Sequence, residues 1–297
     1  MNVIEINSLT RDYGEGKGIF DLSFSVGKGE VFGFLGPNGA GKTTTIRHLM
    51  GFIKAKKGSC TVGGLDCWKQ SEEIQKNLGY IPGEMSFFDD MTGMEFLKFT
   101  SKYRGVNANG QMKKLIERFE LNAGGKLKKM SKGMKQKVGI ISAFMHEPEV
   151  LILDEPTSGL DPLMQNRFTE LVIEEKSKGK TILMSSHMFE EVERTCHRVA
   201  IIKDGRLAAM DSVDALKAEQ VKQYIITLEN SKLAESFAAE GLHIKGVEKN
   251  RVTVTVKNNI GELIAVMNRY PVTNISAPGQ SLEEIFMQYY GEGVRND

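Results

Sequence analysis

Apolar residues recur along this chain in two periods, and the switches between them divide it. Val3–Leu9, and then Leu22, Phe24 and Val26, alternate with polar residues, which is the pattern of half-buried strands. Val31–Leu35 is apolar without a break, as expected of a strand covered on both faces. A helix running through Met50 follows, with Ile46 and Leu49 on its inner side, and residues 58–64 and 78–82 read as further strands. From about 84 to 148 the period turns helical. Thr92 and Glu95 form a capping box ahead of Phe96, Phe99 and Tyr103. Met112–Phe119 is a second helix. Ser131 caps a third, carried by Val138, Ile141 and Met145 and stopped before Pro148.

Strand and helix then alternate again. Val150–Leu153 is a buried strand, Asp161-Pro162 opens a helix, and Thr181–Met184 is the next strand. Cys196 and His197 are expected inside a helical run, with a structural role. Val199–Ile202 and Arg206–Ala209 flank Asp204-Gly205, a strong hairpin turn. Beyond about residue 215 the order is strand (Tyr224–Leu228), helix (Lys232–Ala239), strand (Ile244–Val247), strand (Arg251–Val256), helix (Gly261–Tyr270), strand (Val272–Ile275) and helix (Leu282–Tyr290). The first six have the βαββαβ order of a ferredoxin-like module, so a boundary is placed near 215, with one domain over 1–215 and a second over 216–297.

The densest chemistry lies where the third strand ends. Residues 36–43 read GPNGAGKT, a match to G-x-x-x-x-G-K-[ST] set between a buried strand and a helix. Such a turn aims backbone N–H groups at one point, and the helix dipole adds to the pull on an anion. Gly36, Gly39 and Gly41 let the backbone approach a phosphate closely. Lys42 would reach the β- and γ-phosphates, and the Thr43 hydroxyl would ligate Mg²⁺. The second acid-bearing motif is Val150–Leu153 followed by Asp154-Glu155-Pro156. A carboxylate delivered at a strand tip is the partner such a loop needs to hold the metal, and Glu155 stands where a general base could activate water.

Composition narrows the class without naming it. The 297 residues are 40% hydrophobic and 26% charged, with a net charge of +1, so there is no overall basic field to argue for nucleic acid. No apolar run approaches the roughly 18 residues of a membrane span, and the start MNVIEINSLT lacks the marks of a signal peptide. The expectation is a cytoplasmic chain that meets a membrane only through a partner. The three cysteines lack metal-ligand spacing.

Three further segments complete a recognisable order: Ser131-Lys132-Gly133-Met134-Lys135-Gln136, then Ser158-Gly159-Leu160-Asp161, then Ser185-Ser186-His187. With the phosphate loop and the acid pair, this order resembles the nucleotide-binding domain of ABC transporters over about residues 1–215. The resemblance implies an α/β P-loop cassette with a mixed sheet core and a helical subdomain at about 84–148. It also implies ATP and Mg²⁺ as cofactors. Tyr13 matches the family's adenine-stacking aromatic and His187 its γ-phosphate histidine. ATP would rest on Gly36, Pro37, Asn38, Gly39, Ala40, Gly41, Lys42, Thr43 and Thr44 of one chain and on the Ser131/Gly133 turn of another. Asp161 would lie across that dimer. Glu155, His187 and Lys42 take the catalytic roles, and Thr43 and Asp154 hold the metal.

Two departures stand out. The signature is MSKGM rather than LSGGQ, and at residues 79–84, GYIPGE, Gly83 stands where many members carry a metal-contacting Gln. Either Glu84 takes over that contact or the site relies on Asp154 and Glu155; the first is the expectation. With the C-terminal module and the ending SLEEIFMQYYG, these variants resemble cassettes that serve ABC-2-type permeases, which are exporters. The implied partners are such a permease and a second cassette, identical or related. The alternative is a soluble ABC ATPase acting on ribosomes or nucleic acid. The apolar segment Met85–Met94 suits either a permease interface or packing within the helical subdomain. The lysines 126, 128, 129, 132, 135 and 137 are read as a solvated face.

Overall fold

The computed structural model describes residues 1–218, 222–256 and 260–277. Its backbone divides into two compact units, Met1–Val213 and Asp214–Asp297. In the first, β1 (Asn2–Gly14) and β2 (Lys17–Gly27) form an antiparallel hairpin. They are followed by β3 (Val31–Leu35), α1 (Lys42–Leu49), β4 (Lys57–Val62), β5 (Leu65–Asp66), α2 (Ser71–Lys76) and β6 (Leu78–Ile81). Next come α3 (Gly93–Tyr103), α4 (Asn109–Arg118), α5 (Lys132–Phe144), β7 (Val150–Asp154), α6 (Pro162–Ser177), β8 (Thr181–Ser186), α7 (Phe189–Thr195), β9 (Arg198–Lys203) and β10 (Arg206–Ser212); α8 (Val213–Ala218) starts on the last residue of this unit and continues into the second.

Two sheets pack in this unit. One is antiparallel, in the order β2-β1-β4-β5; the other runs β10-β9-β3-β8-β7-β6 and is parallel except at the β10 edge. The five residues of β3 are all buried, which explains why VFGFL carries no polar position. Phe24 of β2 stacks on Phe32 at 5.2 Å and meets Phe34 at 5.3 Å, closing the layer between the sheets. The register sets the ends of the parallel strands side by side: Leu35 pairs with Ser186, and Asp154 with Ser185. Everything the chain places just after β3, β7 and β8 therefore converges at one sheet end, where ligands of parallel α/β sheets bind.

The helices of the middle segment start as the capping residues dictate. Thr92 and Glu95 exchange both bonds of a capping box, Ser131 accepts from the Met134 N–H, and Asp161 accepts from the Met164 N–H. Helix α7 is shorter than expected. It ends at Thr195, and Cys196 takes an extended backbone, so neither Cys196 nor His197 is helical. The apolar spacing Val192, Cys196, Val199 mimics a helix, but the backbone has already turned toward β9. His197 donates its N–H to the Val31 carbonyl at 2.8 Å and accepts the Val31 N–H on Nδ1 at 3.0 Å. That histidine is structural.

The second unit holds β11 (Lys222–Leu228), α9 (Ser231–Ala238), β12 (Ile244–Glu248), β13 (Arg251–Val256), α10 (Ile260–Met267) and β14 (Val272–Ser276). The sheet order β12-β13-β11-β14, antiparallel at each pairing, is that of a ferredoxin-like module. Ile226, Leu228, Phe237, Val252, Val254 and Leu263 form its own core. The helix expected at Leu282–Tyr290 and the ending SLEEIFMQYYG lie outside the described residues. Among those described, no helix is long and apolar enough to cross a membrane.

Candidate active site

The loop between β3 and α1 wraps an open cleft of about 490 Å³. The lining includes Pro37, Asn38, Gly39, Ala40, Gly41, Lys42, Thr43 and Thr44, joined by Tyr13 and Glu155. Gly41 shows why the loop needs glycine. Its φ is 112°, and a Cβ there would lie 2.7 Å from Ile19 Cγ2. Any side chain would push α1 away from the β2 strand beneath it. Lys42 is almost fully buried, and its ammonium donates to the carbonyls of Gly36 at 2.6 Å and Pro37 at 3.2 Å. Those bonds hold it at the floor of the cleft, where a phosphate would replace them.

The acid pair lies opposite. Glu155 Oε1 is 3.1 Å from Lys42 Nζ, and Glu155 Oε2 is 2.5 Å from His187 Nδ1. Glu155 has a φ of 48°, a strained angle for a non-glycine residue, and its N–H donates to Ser185 Oγ at 3.0 Å and to the Ser185 carbonyl at 3.2 Å. The end of β8 thus fixes the turn that carries Glu155. Ser185 Oγ also donates to Asp154 Oδ1 at 2.5 Å, while Asp154 Oδ2 is buried without a partner. An orphaned carboxylate oxygen in so buried a place is what a bound cation would satisfy. A Cβ built on Gly83 would lie 3.0 Å from Asp154 Oδ2 and 3.8 Å from Thr43 Oγ1, so both oxygens face one small space. Among the described residues no cluster of three or more His, Cys, Asp or Glu could hold a metal. Two protein oxygens and a phosphate are nonetheless a usual magnesium arrangement.

Gly83 faces the Asp154–Thr43 space; Glu84 is exposed and, like Gly83 and Asp154, outside the cleft lining. Ser131, Gly133 and Asp161 also lie outside it. Within this chain the Ser131–Gly133 turn packs on the 157–159 turn. Lys132 Nζ donates to Ser158 Oγ at 2.9 Å, and a Cβ on Gly133 would lie 2.7 Å from the Gly159 carbonyl oxygen. Lys17, Gly18 and Asp204 line the cleft without having been singled out in the sequence. Their signal was the glycine-rich β1–β2 turn beside Tyr13 and the Asp204-Gly205 turn. Tyr13 is 53% exposed, with the Arg11 guanidinium 5.2 Å from its ring centre.

Comparison with known proteins supplies the family. The ABC transporter family model matches residues 19–158. The chain is 32% identical to the linearmycin resistance ATP-binding protein LnrL of Bacillus subtilis, over 99% of this chain and the whole of that protein. The chain belongs to the ATP-binding proteins of ABC transporters. This cassette is also 33% identical to the bacitracin transport ATP-binding protein BcrA of Bacillus licheniformis, over 98% of each chain. A solved ATP-binding subunit of an ABC transporter superposes with a TM-score of 0.68 at 32% identity, covering 73% of this chain and 92% of that one. ATP is the ligand of the family, and ATPase activity is what membership implies. The P-loop cassette fold is as the motif order implied.

The aromatic segment divides on inspection. Phe87 packs edge-on against Phe96 at 4.9 Å, inside the helical subdomain. Phe88, Phe99 and Tyr103 form a contiguous row that stays exposed. Of the basic run, Lys128 pairs with Asp90 at 3.5 Å, and Lys126, Lys128 and Lys129 are exposed.

Proposed function

We propose that this cassette hydrolyses ATP to power export through a separate ABC-2-type membrane permease. The observation that carries the reading is the Lys42–Glu155–His187 constellation at the rim of the phosphate loop, beside the orphaned Asp154 oxygen. Glu155 takes the proton of a water as its oxygen forms a bond to the γ-phosphorus. The bond from that phosphorus to the bridging oxygen breaks, and ADP leaves. His187 holds Glu155 in place and reaches the γ-phosphate, while Lys42 moves from its two carbonyls to the β- and γ-phosphates. Thr43 and Asp154 would hold Mg²⁺, which supplies charge neutralisation on the phosphates. Tyr13 is the stacking surface for adenine.

The Ser131/Gly133 turn does not line the cleft of its own chain, which supports a role on the nucleotide of a second cassette, with Asp161 near the seam. ATP would join two chains, and hydrolysis would release them. The exposed row Phe88, Phe99 and Tyr103 is an apolar surface suited to a permease. The names of the two relatives support an antibiotic as cargo. Residues 216–297 act as an accessory domain, for which support of cassette pairing is the leading role. The experiment is purification of the tagged chain from native membranes in mild detergent, with its partners identified by mass spectrometry. A polytopic membrane protein at near-equal stoichiometry is the expected result. Recovery of ribosomal proteins or nucleic acid alone would overturn the exporter reading.

A further inference from the structure

Helix α7 carries a carboxyl group that the chemistry above leaves unused. In FEEVERT, Glu191 shares its face with buried Val192 and Thr195, and only 5% of it is exposed. A glutamate at a core position needs partners. Its Oε2 accepts from Ser186 Oγ at 2.8 Å and from Thr157 Oγ1 at 3.4 Å, and its Oε1 has none. The nearby Arg194 guanidinium bonds Asn166 Oδ1 instead, at 2.8 Å. Both arginine and carboxyl border a cavity of about 130 Å³. Burial, with a smaller push from the Glu155 charge, raises the Glu191 carboxyl to about 7 against the pull of its two hydroxyl donors.

The two donors belong to the segments that carry the reacting groups. Thr157 lies two residues after Glu155, and Ser186 immediately precedes His187. Ser186 Oγ also accepts the Met188 N–H at 2.9 Å, which fixes the turn around His187. One carboxyl group therefore clasps the turn after β7 to the end of β8, and the next contact outward is Glu155 to His187 at 2.5 Å.

We infer that Glu191 is a positioning residue, holding Thr157 and Ser186 together and thereby setting the contact between Glu155 and His187. The inference rests on the reading of Glu155 as the base. It touches neither the phosphate loop nor the adenine surface, so its signature is a loss of turnover without a loss of nucleotide affinity. Misplacement of a reacting group by about 1 Å reduces rate on the order of 100-fold.

The test compares full-length wild type, Glu155→Gln, Glu191→Leu and Glu191→Gln in ATP turnover and in the Kd for a fluorescent ATP analogue. Glu191→Leu fills the volume but accepts no hydrogen bond. It should reduce kcat by roughly 10- to 100-fold and leave Kd within about 2-fold. Glu191→Gln keeps a carbonyl acceptor for both hydroxyls and should retain kcat within about 3-fold. If the leucine variant fails to fold, Thr157→Val with Ser186→Ala removes the donors and leaves the carboxyl; the same loss of kcat at unchanged Kd is expected. Wild-type turnover in Glu191→Leu or in that double variant, with Glu155→Gln inactive, would overturn the role of Glu191 alone. A parallel fall in affinity and turnover in both Glu191 variants would also overturn it. A wild-type chain that binds ATP without hydrolysing it would overturn the reading of Glu155 and the positioning role together.

Discussion

The two surfaces proposed to meet across ATP are finished very differently. At the phosphate loop the chain closes its own circuit. Lys42, Glu155, His187, Ser185 and Asp154 bond one another, leaving one buried carboxylate oxygen over. At the Ser131–Gly133 turn the hydroxyl caps α5, Lys132 bonds Ser158, and the turn lies apart from the cleft. In the proposed reading the first surface, with its charges preorganised, binds nucleotide alone, and the second, an exposed helix start, acts on a phosphate brought to it. Binding and turnover should therefore come apart under mutation.

Glu155→Gln strikes that distinction hardest. The amide keeps the shape of the side chain and removes the base, so turnover should fall by about 100- to 10,000-fold while ATP still binds. Gel filtration with Mg-ATP should then show a closed dimer. A variant that stays monomeric at saturating ATP would mean either that the two surfaces do not meet across ATP or that closure needs the permease. Lys42→Ala acts on binding. It removes a charge-assisted contact worth about 1.5–3 kcal/mol, so affinity should weaken by roughly 10- to 100-fold, measured by titration with a fluorescent ATP analogue.

Gly133→Ala probes the other surface. The added Cβ would meet the Gly159 carbonyl oxygen at 2.7 Å, so the signature turn must move off the 157–159 turn. ATP affinity of the isolated chain should stay unchanged, while turnover falls by about tenfold, the effect of a modest displacement. Equal loss of both would mean that the turn supports the phosphate loop from within the same chain, and the contrast would dissolve.

The self-contained surface was also the legible one. GPNGAGKT and LILDEP carry their chemistry in residue type and spacing, and the strand register that joins them follows from unbroken apolar runs. The ferredoxin-like unit was legible for the same reason, because βαββαβ admits few sheet orders. What escaped depended on side-chain direction. GYIPGE offers a carboxylate one residue beyond the position that faces the metal space, and spacing alone does not say which of Gly83 and Glu84 points inward. Cys196 and His197 continued an apolar period that the backbone had left. Glu191 was hidden as one of two adjacent glutamates on a short helix. Its signal was an acid on the same face as Val192 and Thr195.

That buried acid yields the smallest effect and a distinct one. Burial raises its carboxyl from 4.5 to about 7. Between those values the folded chain holds a proton that the unfolded chain releases, so stability falls as pH rises through the window, by on the order of 3 kcal/mol in total. Burial and the neighbouring Arg104 push His146 from 6.5 down to about 4, so His146 lowers stability as pH falls through that range. The two slopes oppose each other, and the wild-type profile should be nearly flat where they overlap. Glu155 faces Glu191 from the catalytic turn, and Glu190 and Arg194 share its cavity. In Glu191→Gln the acid slope is gone, while the opposing slope from His146 remains. The thermal midpoint of the variant should therefore gain on wild type from pH 5 to about pH 7, by several degrees at the upper end, and level off above it. A constant offset across that range would mean that Glu191 ionises in the folded chain as it does in the unfolded one, so that burial does not hold its proton.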